Sequence, residues 1–213
     1  MAAGGLGARY DLGPDDGLVA AVRGIQTRYV HPVAGAPDRD SVGLAALAGI
    51  ASSGDGVWRY SLLAGLEARR FAASPQSGGQ GTRATPVADV QVQWLPSEMT
   101  SVGLRLTRAM EESAWLTAPG STNTRVNFAI EHEYLRDIIL RAHTGVQVAE
   151  LSGGNGTRVS GNVGGRVIWL VNRNMQLSLS YDLARWNEGI LEAAPHDTQR
   201  LRNLVLASVR LVP

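Results

Sequence analysis

The chain has 213 residues with a formal net charge of +1, and it contains no cysteine. The absence of cysteine excludes thiol catalysis, disulfides and structural zinc–thiolate sites. The basic residues are scattered along the chain, so no basic tract favours nucleic acid. No run of about 18 apolar residues could form a transmembrane helix, but a membrane-spanning strand needs only about 10 residues. The length fits one domain over residues 1–213.

Alternation of apolar and polar residues predicts eleven strands, since successive side chains on a strand point to opposite faces. In chain order the predicted strands are Gly4–Leu12, Leu18–Tyr29, Val42–Ala51, Val57–Phe71, Val87–Leu95, Ser101–Met110, Thr124–Leu135, Ile138–Glu150, Arg158–Val171, Met175–Trp186 and Gln199–Val212.

The connections between these strands alternate strictly between tight and long. The tight ones carry the Gly, Asp, Asn and Pro residues that turns require; they are Gly13–Gly17, Ser52–Gly56, Pro96–Thr100, Arg136–Asp137 and Asn172–Asn174. The long polar ones are Val30–Ser41, Ala72–Pro86, Glu111–Asn123, Leu151–Thr157 and Asn187–Thr198. Greek-key crossings would disrupt this order, so it favours an antiparallel up-and-down β-barrel over a β-sandwich.

Many of the predicted strands are 10–14 residues long, and their apolar faces are aliphatic, with the aromatic residues of these faces near strand ends. Rings in those positions are typical of strands that cross a membrane between two interfaces. We therefore expect an all-β transmembrane barrel in the bacterial outer membrane, with lipid against the aliphatic face. A soluble barrel that binds an apolar ligand inside shows the same alternation with the faces exchanged, and this alternative stays open.

The strand count is odd, whereas single-chain outer-membrane barrels normally have an even number of strands. The sequence also begins without the basic and apolar segments of a secretory signal. Both features lead us to expect that the chain is the C-terminal portion of a larger barrel, truncated at its N-terminus.

The face opposite the aliphatic one carries charged residues in the middle of the strands. Such residues would line a lumen and could set pore selectivity, or they could pair across strands and fill a closed interior. The excess of arginine favours anionic solutes. The predicted lumen-lining residues are Arg59, Glu67, Asp89, Arg105, Arg125, Glu131, Glu133, Arg141, Arg158, Arg166, Asp182 and Arg202.

Catalytic and metal-binding alternatives are weak in this sequence. On a strand, His132 faces away from Glu131 and Glu133, so the three cannot cooperate. Ser121, His196 and Asp197 could be combined into a hydrolase triad, but no spacing requires it. Residues Gly153–Gly156 lack the lysine of a phosphate-binding loop, and the aspartates lack a calcium-loop pattern. His31 and His196 have no partners at ligand spacing, and a lone histidine on a polar face, such as His143, is more often solvated or hydrogen-bonded than catalytic. We expect no enzyme, cofactor or metal.

Three segments resemble a known family. They are Val90–Arg108, Phe128–Leu140 and Val167–Arg185, and the matching residues are Trp94, Pro96, Thr100, Glu133, Leu135, Leu140, Asn172, Arg173, Asn174, Leu177 and Tyr181. These hairpins are similar to those of the outer-membrane β-barrel porin type 2 family of proteobacteria, well over Val87–Pro213 and by strand rhythm before it. The resemblance implies an outer-membrane barrel that acts as a porin-like passive conduit or in surface polysaccharide export.

A closed structural barrel that docks a partner protein through its long loops is the alternative function. The expected partners of the conduit are outer-membrane lipid and small polar solutes or polysaccharide, and no nucleic acid.

Overall fold

The computed structural model describes residues 1–28, 40–52, 54–71, 81–112, 120–151, 156–187 and 199–211. The described residues form eleven strands of 10 to 16 residues. They are β1 (Ala2–Asp11), β2 (Asp16–Thr27), β3 (Ser41–Ser52), β4 (Trp58–Phe71), β5 (Thr82–Ser97), β6 (Thr100–Glu112), β7 (Gly120–Leu135), β8 (Ile138–Leu151), β9 (Thr157–Asn172), β10 (Met175–Asn187) and β11 (Gln199–Leu211). Within these ranges, no helix is long and apolar enough to cross a membrane.

All eleven strands belong to one sheet whose spatial order is the sequence order, and each neighbouring pair is antiparallel. Connections of two to five residues alternate with connections of five to thirteen. The predicted up-and-down meander is therefore confirmed. Among the described strands β1 and β11 do not pair with each other, so these two are the edges of an open sheet.

Two strands begin four or five residues earlier than the sequence predicts. β5 starts at Thr82 instead of Val87 and contains Pro86, which lacks a backbone N–H. Proline is tolerated there because pairing of β5 with β6 begins only at Ala88, so the proline faces an unpaired edge. β7 starts at Gly120, where a Gly, Ser, Thr and Asn cluster that is typical of a loop instead pairs with the end of β6.

The register separates the sheet into two chemically different faces. On β4, Trp58, Tyr60, Leu62, Ala64 and Leu66 share one face with their partners Trp94, Val92, Val90, Ala88 and Pro86. We call this side the apolar face, and the side that carries Arg59, Ser61 and Glu67 the polar face. Residues that pair across neighbouring strands share a face, so the apolar and polar faces both extend across all eleven strands.

The polar face is the enclosed one. With the exceptions of Met110 and Thr122, every buried non-glycine side chain of the described residues lies on the polar face. On the apolar face, by contrast, Leu179 is 56% exposed and Val205 is 66% exposed. This is the reverse of a water-soluble protein, which buries its apolar side and exposes the charged one. The soluble ligand-binding barrel, in which the apolar side faces inward, does not fit this arrangement.

Aromatic side chains of the apolar face cluster toward the tight turns. Trp58 and Trp94 stack with ring centroids 5.6 Å apart. Trp169 on β9 donates its indole N–H to the carboxylate of Asp137, in the turn between β7 and β8, at 3.1 Å. A ring with an apolar body and a hydrogen-bonded polar tip is suited to the boundary between lipid and water.

Glycines on the polar face let β3 and β4 approach closely. A Cβ placed on Gly65 would lie 1.8 Å from the carbonyl oxygen of Ala46, and one on Gly49 would lie 1.8 Å from that of Leu62. No side chain fits at either position. Glycines of this kind are the device by which β-sheets take up strong local curvature.

Candidate functional site

All twelve predicted lumen positions lie on the polar face. The register links them across strands: Arg59 pairs with Gln93, Gln93 with Gly103, and the row continues through β7 to His143 on β8. From His143 the row passes through Gly164 to Asp182. The remaining predicted positions follow from the same pairing, as in Glu131 opposite Arg141 and Arg141 opposite Arg166. Whether this face lines a water-filled lumen is the subject of the proposal below.

Several of these charges are paired within the described residues. The Arg141 guanidinium donates to Glu131 on the neighbouring strand. Arg125 forms a two-pronged pair with Glu111, with one N–O distance of 2.6 Å. Glu111 was not predicted as a site residue, because the sequence placed it at the start of a loop. Continued alternation through Ala109 and Glu111 is the signal that could have identified it.

His143 and Asp182 form a pair that skips a strand. The His143 Nε2 lies 3.0 Å from the Asp182 Oδ1, although β9 separates their strands. Gly164 lies between them, and a Cβ there would be 2.4 Å from Asp182 Oδ1 and 2.6 Å from His143 Cε1. The missing side chain therefore creates the space in which the two groups meet. His143 therefore has a polar partner, which agrees with the expectation of a solvated or hydrogen-bonded histidine.

The polar face contains a cleft of about 640 Å³ in the part of β4 to β8 nearer the tight turns. Its charged lining groups are Arg59, Arg105, Glu131, Arg141 and His143. The remaining polar lining consists of neutral amides and hydroxyls, contributed by Ser52, Tyr60, Ser61, Gln91, Gln93, Ser101 and Asn127. A polar cleft of this size, open to solvent, can hold a small hydrophilic molecule.

Toward the long connections the polar face is closed. Glu67 is 1% exposed and Arg69 is 3% exposed, and their side chains form a pair with an N–O distance of 2.8 Å. Within the described ranges, the second carboxylate oxygen of Glu67 has no hydrogen-bond partner. The polar face thus has an open part at the cleft, nearer the tight turns, and a filled part around this buried pair, toward the long connections.

The described residues provide no additional support for the catalytic and metal-binding alternatives. His132 lies on the apolar face and contacts the Thr100 hydroxyl at 2.9 Å, so it faces away from both glutamates as expected. The described ranges contain no cluster of three or more potential metal ligands. His31, Asp38, His196, Asp197 and residues 153–155 lie outside the described residues.

Comparison with known proteins gives a family match and a similarity of shape to a solved structure. The family described as "Putative beta-barrel porin 2" matches residues 3–210. A crystal structure of the NanC porin in a rhombohedral form aligns with a TM-score of 0.46 at 8% identity, covering 99% of this chain and 98% of that one. No curated protein matches significantly.

The family match covers nearly the whole chain, including the N-terminal strands that resembled the family by rhythm alone. It confirms the family indicated by the hairpins around Trp94 and Asn172. The chain therefore belongs to the putative beta-barrel porin 2 family and is an outer-membrane barrel protein of the porin type.

Proposed function

We propose that the protein is a passive conduit for small polar solutes, with the polar face as the wall of its lumen. The observation that carries the proposal is the inversion of the two faces: the charged side is enclosed and the aliphatic side is exposed. Lipid would cover the exposed aliphatic side chains, whose hydration in water is unfavourable. The enclosed side would then face an aqueous path.

In this proposal the polar face replaces the hydration that a solute loses on entering the barrel. The open cleft supplies guanidinium, amide and hydroxyl groups, so a hydrophilic solute always has hydrogen-bond partners. The pairs Arg141–Glu131 and Arg125–Glu111 keep much of the wall charge neutralised. Transport needs no cofactor or chemical step, and diffusion down a gradient supplies the direction.

Conductance in planar lipid bilayers and swelling of proteoliposomes in sugars of rising size test this proposal. A conduit gives discrete conductance steps and a size limit for sugar entry. A high size limit supports the narrower role in surface polysaccharide export, because only a wide path can pass a polymer. Detergent-free solubility of the folded protein, or vesicles as tight as protein-free ones, would contradict the conduit.

A closed structural barrel is the second candidate, and one observation favours it. The buried pair Glu67–Arg69 fills the polar face toward the long connections. If this packing persists in the membrane, the barrel is sealed at that end. Folded, membrane-inserted protein that neither conducts ions nor admits sugars would support the closed barrel, in which the long connections dock a partner.

A further inference from the structure

Two arginines of the cleft have no carboxylate among the described residues to neutralise them. Glu131 is engaged by Arg141, and His143 is engaged by Asp182. Within the described part of the chain, neither Arg59 nor Arg105 takes part in an ion pair. Both guanidinium groups are solvent-exposed at the wall of the cleft. The cleft therefore carries positive charge that its own acidic residues do not balance.

These arginines flank a row of neutral hydrogen-bonding groups. Arg59 on β4 lies opposite Gln93, and Arg105 on β6 lies opposite Gln91. Strand β5 separates them, so the two arginine-bearing strands are about 10 Å apart. Asn127 lies beside Arg105 on β7. Two guanidinium groups, each with paired N–H donors for an oxyanion, and the amides between them, which bind hydroxyls, suit a molecule that carries both an oxyanion and several hydroxyls.

Asp89, the acidic residue of β5, does not neutralise this arrangement. Asp89 lies diagonally from Arg105, opposite Thr107, and accepts a hydrogen bond from the Gln91 amide at 3.4 Å. It is not among the residues that line the cleft. Since Gln91 donates to Asp89 through its nitrogen, its carbonyl oxygen can accept from a hydroxyl group.

We propose that Arg59 and Arg105 form a binding site for hydroxylated organic anions, such as a sugar acid or a sugar phosphate, inside the cleft. This inference rests on the proposed conduit and names the class of solute that it selects. Each arginine binds the oxyanion by charge-assisted hydrogen bonds, while Gln91, Gln93 and Asn127 bind hydroxyls. Because the site is hydrated, each guanidinium contributes about a fivefold gain in affinity.

Block of single-channel current by sugars tests the site. Glucuronate, glucose 6-phosphate and glucose are the probes, because they share a ring and differ in the anionic group. We expect both anions to reduce the current at concentrations where glucose has no effect. Stronger block by glucuronate identifies a carboxylate site, and stronger block by glucose 6-phosphate identifies a phosphate site.

The variants Arg59→Gln and Arg105→Gln each raise the half-blocking concentration of the preferred anion about fivefold, and the double variant raises it further. Arg202→Gln is the matched control, because it removes the same charge from the polar face outside the cleft. An unchanged block in both cleft variants, equal block by glucose, or an equal effect of the control would overturn the site.

Failure of the site can be distinguished from failure of the conduit. Titration calorimetry of the refolded protein in detergent measures anion binding without any current. A protein that binds glucuronate through Arg59 and Arg105 but does not conduct keeps the site and contradicts the conduit. A conducting protein with no binding, and with no discrimination between glucuronate and glucose, contradicts the site alone.

Discussion

The exposure of the apolar face predicts opposite outcomes for one charge placed at two adjacent residues. Val163 and Asn162 are neighbours on β9, and Val163 is 50% exposed on the apolar face while Asn162 belongs to the polar face. We compare Val163→Arg with Asn162→Arg. Both variants add the same side chain at the same height of the sheet, so only the facing medium differs between them.

The position of Val163 sets the size of the effect. Trp169, on the same face, lies six residues further along β9, toward the tight turn. At about 3.4 Å per residue and a strand tilt of about 40°, Val163 lies about 15 Å deeper than this ring. The apolar band of such barrels is about 25 Å tall, so Val163 is near its midplane. An arginine there costs about 2–4 kcal/mol of folding stability.

Asn162→Arg places the charge among polar, hydrated groups, and we expect a change within about 0.5 kcal/mol. Urea unfolding of both variants in lipid vesicles, followed by tryptophan fluorescence, gives the free energies of unfolding. Equal costs for the two variants, or a larger cost for Asn162→Arg, would refute the assignment of the apolar face to lipid.

Three further substitutions test the interior by the same unfolding measurement. Gly65→Ala forces β3 and β4 apart and breaks hydrogen bonds between them, which costs about 2–4 kcal/mol of folding stability. Gly103→Ala is the control and costs nothing, because the nearest non-neighbouring atom is 4.0 Å from the new Cβ. Equal stabilities of the two variants would contradict the close approach of β3 and β4. Arg69→Met leaves the buried Glu67 carboxylate without its partner and costs about 3–5 kcal/mol of folding stability. Adding Glu67→Met restores most of the lost stability. If Arg69→Met alone leaves stability unchanged, the buried pair is contradicted. Gly164→Ala leaves stability within about 0.5 kcal/mol, because the loss of the contact between His143 and Asp182 is offset by reduced unfolded-state entropy. It abolishes the coupling of these two residues in a double-mutant cycle, and persistent coupling would refute the role of the glycine.

Local alternation was enough to predict the strands, their order and the shared face of the twelve charges. It was not enough to predict which face is enclosed, because side chains alternate in the same way whether the apolar or the polar face points inward. The pair between His143 and Asp182 was also out of reach, since it requires the register of two successive strand pairings and the space above Gly164. The early start of β5 was missed because Pro86 ends most strands, and only the pairing shows that it faces an unpaired edge.

The charges of the polar face separate into two groups with different consequences. Charges that are paired, such as Arg125 with Glu111, hold neighbouring strands together and present little net field to a solute. Arg59 and Arg105 hold no acidic partner among the described residues, and they contribute little to the sheet but keep their hydrogen-bonding capacity for another molecule. An exposed guanidinium stays hydrated in the folded protein, so removing it changes the free energy of unfolding very little. Their position on either side of one strand, within one cleft, is accounted for by the anion site that we propose and not by ion pairing within the sheet.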